Sequence, residues 1–307
     1  MPAVVRACRR FTQWLTDPTP GGRIAALRTV VYLFIPADLL YFTPWIRGHG
    51  HLPGELYQPL LIGRLLPLPV PTEGLVHGVW LALLITAPLA ATGRFPRLLG
   101  WTIFILYFEW MIIGFSYGKV DHDRIGFLVA LAVLPTLARA RHGDRTLTEA
   151  GGWAVRMIQL AVIGTYFLSA IAKLTYGAQW LTGATLVRAV LRRGDDWYSW
   201  WTLDHPELLV VAQWLILGFE LATPVVFLVG PRLRYLMIGG LYGFHAMTML
   251  AVGIAFWPHL VAMLSFFPLE RVRPLHRLGL AARRVLGRRA RPQSPASRTP
   301  ARSRAPA

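Results

Sequence analysis

The chain has 307 residues, of which 54% are hydrophobic and only 15% charged, and its mean hydropathy is +0.45. That balance excludes an ordinary soluble domain and makes a polytopic membrane protein the default. The formal charge of +17 does not point to nucleic acid, because eleven arginines crowd into the tail after Glu270, where they read as a cytoplasmic anchor on anionic lipid.

Residues 1–23 carry Arg6, Arg9, Arg10 and Arg23 without a continuous apolar core, so they read as a cytoplasmic segment with no cleavable signal. The lone Cys8 excludes an internal disulfide or a CxxC pair. Residues 24–270 read as an all-α membrane helix bundle of about eight transmembrane segments, at 24–46, 74–92, 97–117, 124–138, 152–175, 207–229, 233–255 and 257–269. The fourth and eighth are short and read as tilted, partly buried or re-entrant. Between the first two, "HLPGELYQPLLIGRLLPLPVPTEG" is too broken by proline to cross and reads as a loop or interfacial segment. "GAQWLTGATLVRAVLRR" reads as an interfacial helix, with Trp180 at the head-group level. Residues 271–307 form a basic, Pro/Ser/Arg-rich tail that is expected to be largely disordered.

Arginines cluster before the first span and after the second, fourth, sixth and eighth, so both termini are expected in the cytoplasm. The opposite face receives His49, His51, "KVDHDR" and "GDDWYSWWTLDHP", although Arg188, Arg192 and Arg193 also fall there.

Ionisable groups inside spans are costly and face the protein interior as a rule. Here they are Asp38, Glu109, Lys173, Glu220 and His245, with His77 less central. Gln159, Tyr166, Ser169, Lys173 and Tyr176 share one stripe of the fifth span, Gln213 and Glu220 a face of the sixth, and Thr102, Glu109 and Ser116 a face of the third. Lys173 stands about 30 Å of helix rise, and His245 about 18 Å, above the inner ends of their spans. With His122, Asp123 and His259, they converge on the outer half of the bundle. No HxxxH, HExxH or cysteine cluster marks a metal site.

Of 32 Lys+Arg residues only Lys119 and Lys173 are lysines. A lysine kept in an apolar helix is notable, because lysine can lose its proton on burial and arginine in practice cannot. Its structural alternatives are snorkelling to the head groups, or a salt bridge to Glu109 or Glu220 that would hold it charged. His245 can equally be a packed, hydrogen-bonded histidine, "DHD" at 121–123 a polar turn, and Asp38 a partner for backbone freed at Pro36.

The segment "TYFLSAIAKLTYGAQWLTG" resembles the Lys-Leu…Trp-x-x-Gly segment of the HTTM family, the transmembrane domain shared with vitamin K-dependent γ-carboxylase. "YGFHAMTMLAVGIAFWPHLVAMLSFFPLE" resembles that carboxylase's Phe-His-x-Met segment, with Trp257-Pro258 in place of its Phe-Pro pair, and "SYGKVDHDRIGFLVAL" resembles its polar turn. The resemblance covers about residues 20–270. It implies Lys173 as a base acting on a reduced quinone of the menaquinone or vitamin K type, and it puts His245 in the same membrane region, where an imidazole can stabilise the oxyanion. His122, or Asp123 one position on, matches the histidine of the polar turn. Tyr166, Glu109, Glu220 and Trp180 would bind or support. The carboxylase's large domain after the membrane part has no counterpart, so carboxylation of a protein is not expected. What remains is binding and deprotonation of a lipophilic quinol or other isoprenoid in the outer half of the bilayer. The alternative is a non-catalytic membrane subunit or assembly partner whose buried polar residues are structural. No internal repeat favours a transporter.

Overall fold

The computed structural model describes residues 2–272 except 119, 138, 183, 195 and 196. Lys119 and the basic tail from residue 273 onward therefore lie outside the described residues. The chain is a bundle of α-helices, joined at one end by a two-residue antiparallel pair in which Thr19 faces Thr148 and Pro20 faces Leu147.

An N-terminal helix, α1 (Pro2–Leu15), precedes α2 (Gly21–Ala37), which tolerates Pro36 by passing into a π-helical turn at Asp38–Phe42. After the proline-broken connection, which holds 3₁₀ segments at Pro44–His51 and Gly54–Leu56 and the single turn α3 (Leu61–Leu65), come α4 (Glu73–Ala91) and α5 (Pro96–Phe115). Thr72 caps α4 by accepting the Leu75 N–H, and Pro96 starts α5, where a backbone donor would have no partner. Next are α6 (Ile125–Val133) and α7 (Glu149–Tyr176), the latter capped by Thr148. Three shorter helices follow, α8 (Ala178–Leu181), α9 (Ala184–Arg193) and α10 (Trp197–Asp204). The chain then forms α11 (Pro206–Ala222), α12 (Pro231–Val252) and α13 (Trp257–Met263). Gly253 stops α12 in the left-handed conformation (φ 64°), its N–H reaching Met249 O.

Among the described residues, six segments are long and apolar enough to cross a membrane: Gly21–Phe42, Glu73–Ala91, Pro96–Phe115, Glu149–Tyr176, Pro206–Phe227 and Pro231–Val252. They coincide with six of the eight expected spans. The other two stretches form α6 and α13, of nine and seven residues. Those lengths give rises of about 13 and 10 Å against a hydrocarbon thickness of about 30 Å. Both are packed in the interior, where Phe127, Ala130 and Leu131 of α6 and Ala262 and Met263 of α13 are fully buried.

The outer surface is apolar. Leu81, Ile85 and Leu89 form an exposed stripe on α4, and Leu98, Trp101 and Ile105 one on α5. A water-soluble protein does not expose successive stripes of this kind, whereas a lipid-facing one needs them. The core instead holds the large side chains Trp110, Tyr32, Tyr107 and Phe127 around α2, α5 and α6.

The arginine-bearing helix ends come together. Arg23 at the start of α2 forms a bidentate pair with Glu270, at 2.9 Å for each bond, and the Thr19–Thr148 pairing ties that end of α2 to the start of α7. The opposite end carries α8–α10, where Val190 of α9 forms a small separate core with Leu209 of α11 and Val252 of α12. Gln213 fastens α8 and α9 to α11. Its amide nitrogen donates to the Trp180 carbonyl, and its Oε1 accepts the Leu186 N–H at 3.1 Å.

Candidate functional site

Lys173 and Glu220 are paired. From the last turn of α7, Lys173 Nζ donates to both carboxylate oxygens of Glu220 on α11, at 2.5 and 2.6 Å. The same ammonium lies 4.5 Å from the ring centre of Trp180, a cation–π contact supplied by α8. Of the two partners foreseen for Lys173, the structure selects Glu220.

Glu109 lies elsewhere. It sits on the face of α5 turned toward the 52–66 connection, where its charge acts on Tyr57, and its buried Oε1 has no hydrogen-bond partner. Its neighbour on that face, Ser116, accepts the Gln58 N–H through its carbonyl. Glu109 is thus separated from the group it was expected to support. A helical face defines a direction but not the neighbour met in that direction.

A second contact joins α7 to α12. Tyr166 Oη and His245 Nε2 are 2.5 Å apart, and Tyr166 donates to Met263 Sδ of α13 at 3.4 Å. His245 Nδ1 is buried without a partner. One tautomer leaves no buried donor orphaned: Nε2–H donates to Tyr166 Oη, Tyr166 O–H donates to the thioether, and Nδ1 keeps a bare lone pair. His259 stacks edge-on to Tyr166 with ring centres 4.8 Å apart, and 5.5 Å from His245.

These groups border one cavity of about 50 Å³, lined by His122, Asp123, Tyr166, Glu220, His245 and His259 and walled by Phe244 and Phe256. Both short helices begin here, α6 just after His122–Arg124 and α13 two residues before His259. Their shortness follows from that placement, since each starts inside the bundle and runs to the arginine-rich end. A chain that leaves the helix at membrane depth must do so where protein covers it. Of the eight residues singled out in sequence, five line the cavity, Lys173 touches it through Glu220, and Trp180 covers Lys173. His259 is added as a full member, although only its position at the start of a short helix marked it.

Outside the spans, burial and then the Lys173 charge lower the His122 imidazole. Burial pushes the Asp123 carboxyl up to about 6, against the opposing pull of Arg124. A carboxyl raised in the fold is penalised when ionised, so its share of stability is present at low pH and falls as pH rises from about 4 to about 6. The loss should amount to about 3 kcal/mol. His122, lowered in the fold, acts in the opposite sense, so the comparison must isolate Asp123. Thermal unfolding of wild type and Asp123→Asn between pH 4 and 7 should give curves that diverge across this interval. Parallel curves would mean that Asp123 titrates as an ordinary carboxylate.

Asp38 has a role different from the backbone one considered for it. Its fully buried carboxylate accepts from Arg124 Nη1 at 2.9 and 2.8 Å and from Tyr107 Oη at 2.8 Å, and Arg124 also donates to Tyr107 Oη. Only the Asp38 carbonyl serves the local backbone, accepting from Thr43. This ion pair anchors the start of α6 to α2 and α5, directly beside Asp123.

Among the described residues no group of three or more His, Cys, Asp or Glu side chains is placed to hold a metal ion. No family profile, curated protein or solved structure matches this chain.

Proposed function

We propose that this is a multi-pass HTTM-like membrane protein that binds the hydroxylated head of a reduced quinone, or another isoprenoid of that class, and takes a proton from it. The observation supporting this reading is the gathering of Lys173–Glu220, Tyr166–His245 and His122 around one cavity inside an apolar bundle. The Lys173–Glu220 pair changes the division of labour expected from the resemblance. A lysine held by a carboxylate supplies positive charge, whereas His245 Nδ1 has a free lone pair. A substrate hydroxyl would give its proton to Nδ1, and the Lys173 charge, behind Glu220 at the cavity wall, would partly balance the resulting oxyanion. The cavity holds a few waters at most, so entry of a ring requires Phe244 and Phe256 to swing aside. Placing the arginine-rich end in the cytoplasm puts both termini there and the cavity in the outer half of the bilayer.

The satisfied ion pair and small cavity favour a second reading, a non-catalytic subunit or assembly partner in which the cluster only fastens helices together. Lipid extraction from the purified protein separates the two. On the first reading an isoprenoid quinone is enriched over the surrounding membrane lipid, and His245→Ala reduces that enrichment about tenfold, or about 1.4 kcal/mol of binding, while still eluting as a folded particle. No enrichment, together with no uptake of added menaquinol, would leave the structural reading.

A further inference from the structure

A second polar cavity lies at the arginine-rich end, far from the site above. We propose that it binds a phosphate-bearing anion, with Arg156 and Arg234 as its ligands. The cavity measures about 120 Å³ and is lined by Arg23, Arg156 and Arg234 but by one acid, Asp17. Arg23 is already neutralised by its bidentate bond to Glu270. The other two guanidinium groups repel one another across the space, and Asp17 offsets only part of their charge.

Their positions are fixed beforehand. Arg156 Nη1 donates to Gln159 Oε1 at 2.9 Å, and Gln159 is itself held by its bond to the Ser265 carbonyl at 3.0 Å. The Arg156 guanidinium lies 4.3 Å from the ring centre of Trp14, and its Nε is buried without an acceptor. Arg234 is oriented by bonds from Nε and Nη2 to the carbonyls of Val226 and Val229, which leave Nη1 for a ligand. Two fixed guanidinium groups facing a polar hollow match the charge and the several acceptor oxygens of a phosphate. The start of α12, at Pro231, also borders the hollow and adds the positive end of a 22-residue helix.

The surroundings place such a ligand at a membrane surface. α1, which supplies Trp14, carries Arg6, Arg9 and Arg10 on one side and exposed Val4 and Phe11 on the other. That pattern suits a helix lying at the head-group level. A phospholipid head group and a free phosphate ester share the chemistry that the cavity would recognise.

The test uses the full chain, delipidated in a maltoside detergent that contains no phosphate. Arginine labelling with an arylglyoxal is read by peptide mass spectrometry, with the exposed Arg64 at the other end as reference. Phosphatidylglycerol should slow labelling of Arg156 and Arg234 about tenfold and leave Arg64 unchanged, as expected at a concentration near ten times the dissociation constant. Equal protection by inorganic phosphate alone would identify a free phosphate ester as sufficient, and protection by the lipid alone a head group. Equal rates in all three media, or equal protection of Arg64, would overturn the proposal. Arg156→Gln with Arg234→Gln should abolish the rise in melting temperature that the ligand gives wild type. Should that variant fail to fold, the wild-type labelling decides by itself.

Discussion

Arg124→Met should be among the most damaging single substitutions in this protein, costing about 3–5 kcal/mol of stability. Arg124 is almost completely buried and is bonded to a carboxylate that solvent does not reach at all. Removing the guanidinium leaves the Asp38 carboxylate in an apolar interior with two neutral donors, Tyr107 Oη and, at 3.4 Å, Thr43 Oγ1. The melting temperature in detergent should fall by about 10 °C. Replacing both partners, as Asp38→Leu with Arg124→Met, removes the stranded charge and should recover much of that loss, because a buried ion pair exchanged for apolar groups is close to neutral. The double-mutant comparison is therefore the decisive part. If the double variant melts as low as the sum of the two single ones, the two side chains act independently and the pair does not fasten α6 to α2. Tyr107→Phe, which removes one donor but no charge, should cost about 1 kcal/mol.

Glu220→Gln should have a comparably large effect, with a different readout. The carboxylate is buried and holds Lys173 through two short bonds. Without the two bonds that hold it, the Lys173 side chain keeps its Trp180 contact and is freer to meet a reagent. A small amine reagent should then acylate Lys173 at least about tenfold faster than in wild type, equivalent to about 1.4 kcal/mol. Scarcity of lysine makes the measurement simple, since Lys119 and the N-terminal amine are the only other amines and serve as references. An unchanged rate would mean that Glu220 is not the group that holds Lys173. Lys173→Met, the converse change, strands a carboxylate and should lower stability by about 3–5 kcal/mol. If the cluster is solely structural, neither variant alters the quinone content of the folded fraction. If it binds a quinol head, both lower it, because each disturbs the ion pair at the cavity wall.

The two short helices show how function and fold are connected here. α6 and α13 were visible in the sequence as apolar stretches too short for confident spans. The structure gives the reason for their length, since both begin at the polar cavity and not at a membrane surface. Residues 121–124 use this break twice. Arg124 turns toward Asp38 and stabilises the bundle, while His122 and Asp123 face the cavity. Arg124 escaped notice in the sequence because an arginine beside "DHD" at a turn looks like a solvated charge. Only burial under α2 and α5 makes it a structural cation.

Much of the architecture was determined by the sequence alone. Hydropathy and helical period depend on residues close together in the chain, so the all-α class, the six crossing-length helices among eight apolar stretches, and the helical character of the segment after α7 were legible there. So was the likeness of environment that gathers His122, Asp123, Tyr166, Glu220 and His245, because polar stripes on apolar helices must turn away from lipid. Only the tertiary structure decided which stripe met which. The packing of α5 set Glu109 near Tyr57, while the packing of α11 on α7 brought Glu220 to Lys173. It likewise set Arg156 and Arg234, 78 positions apart in the chain, around one hollow. Helical periodicity specifies the direction in which a side chain points. The group at the other end of that direction depends on how whole helices pack, and packing is a property of the bundle as a whole.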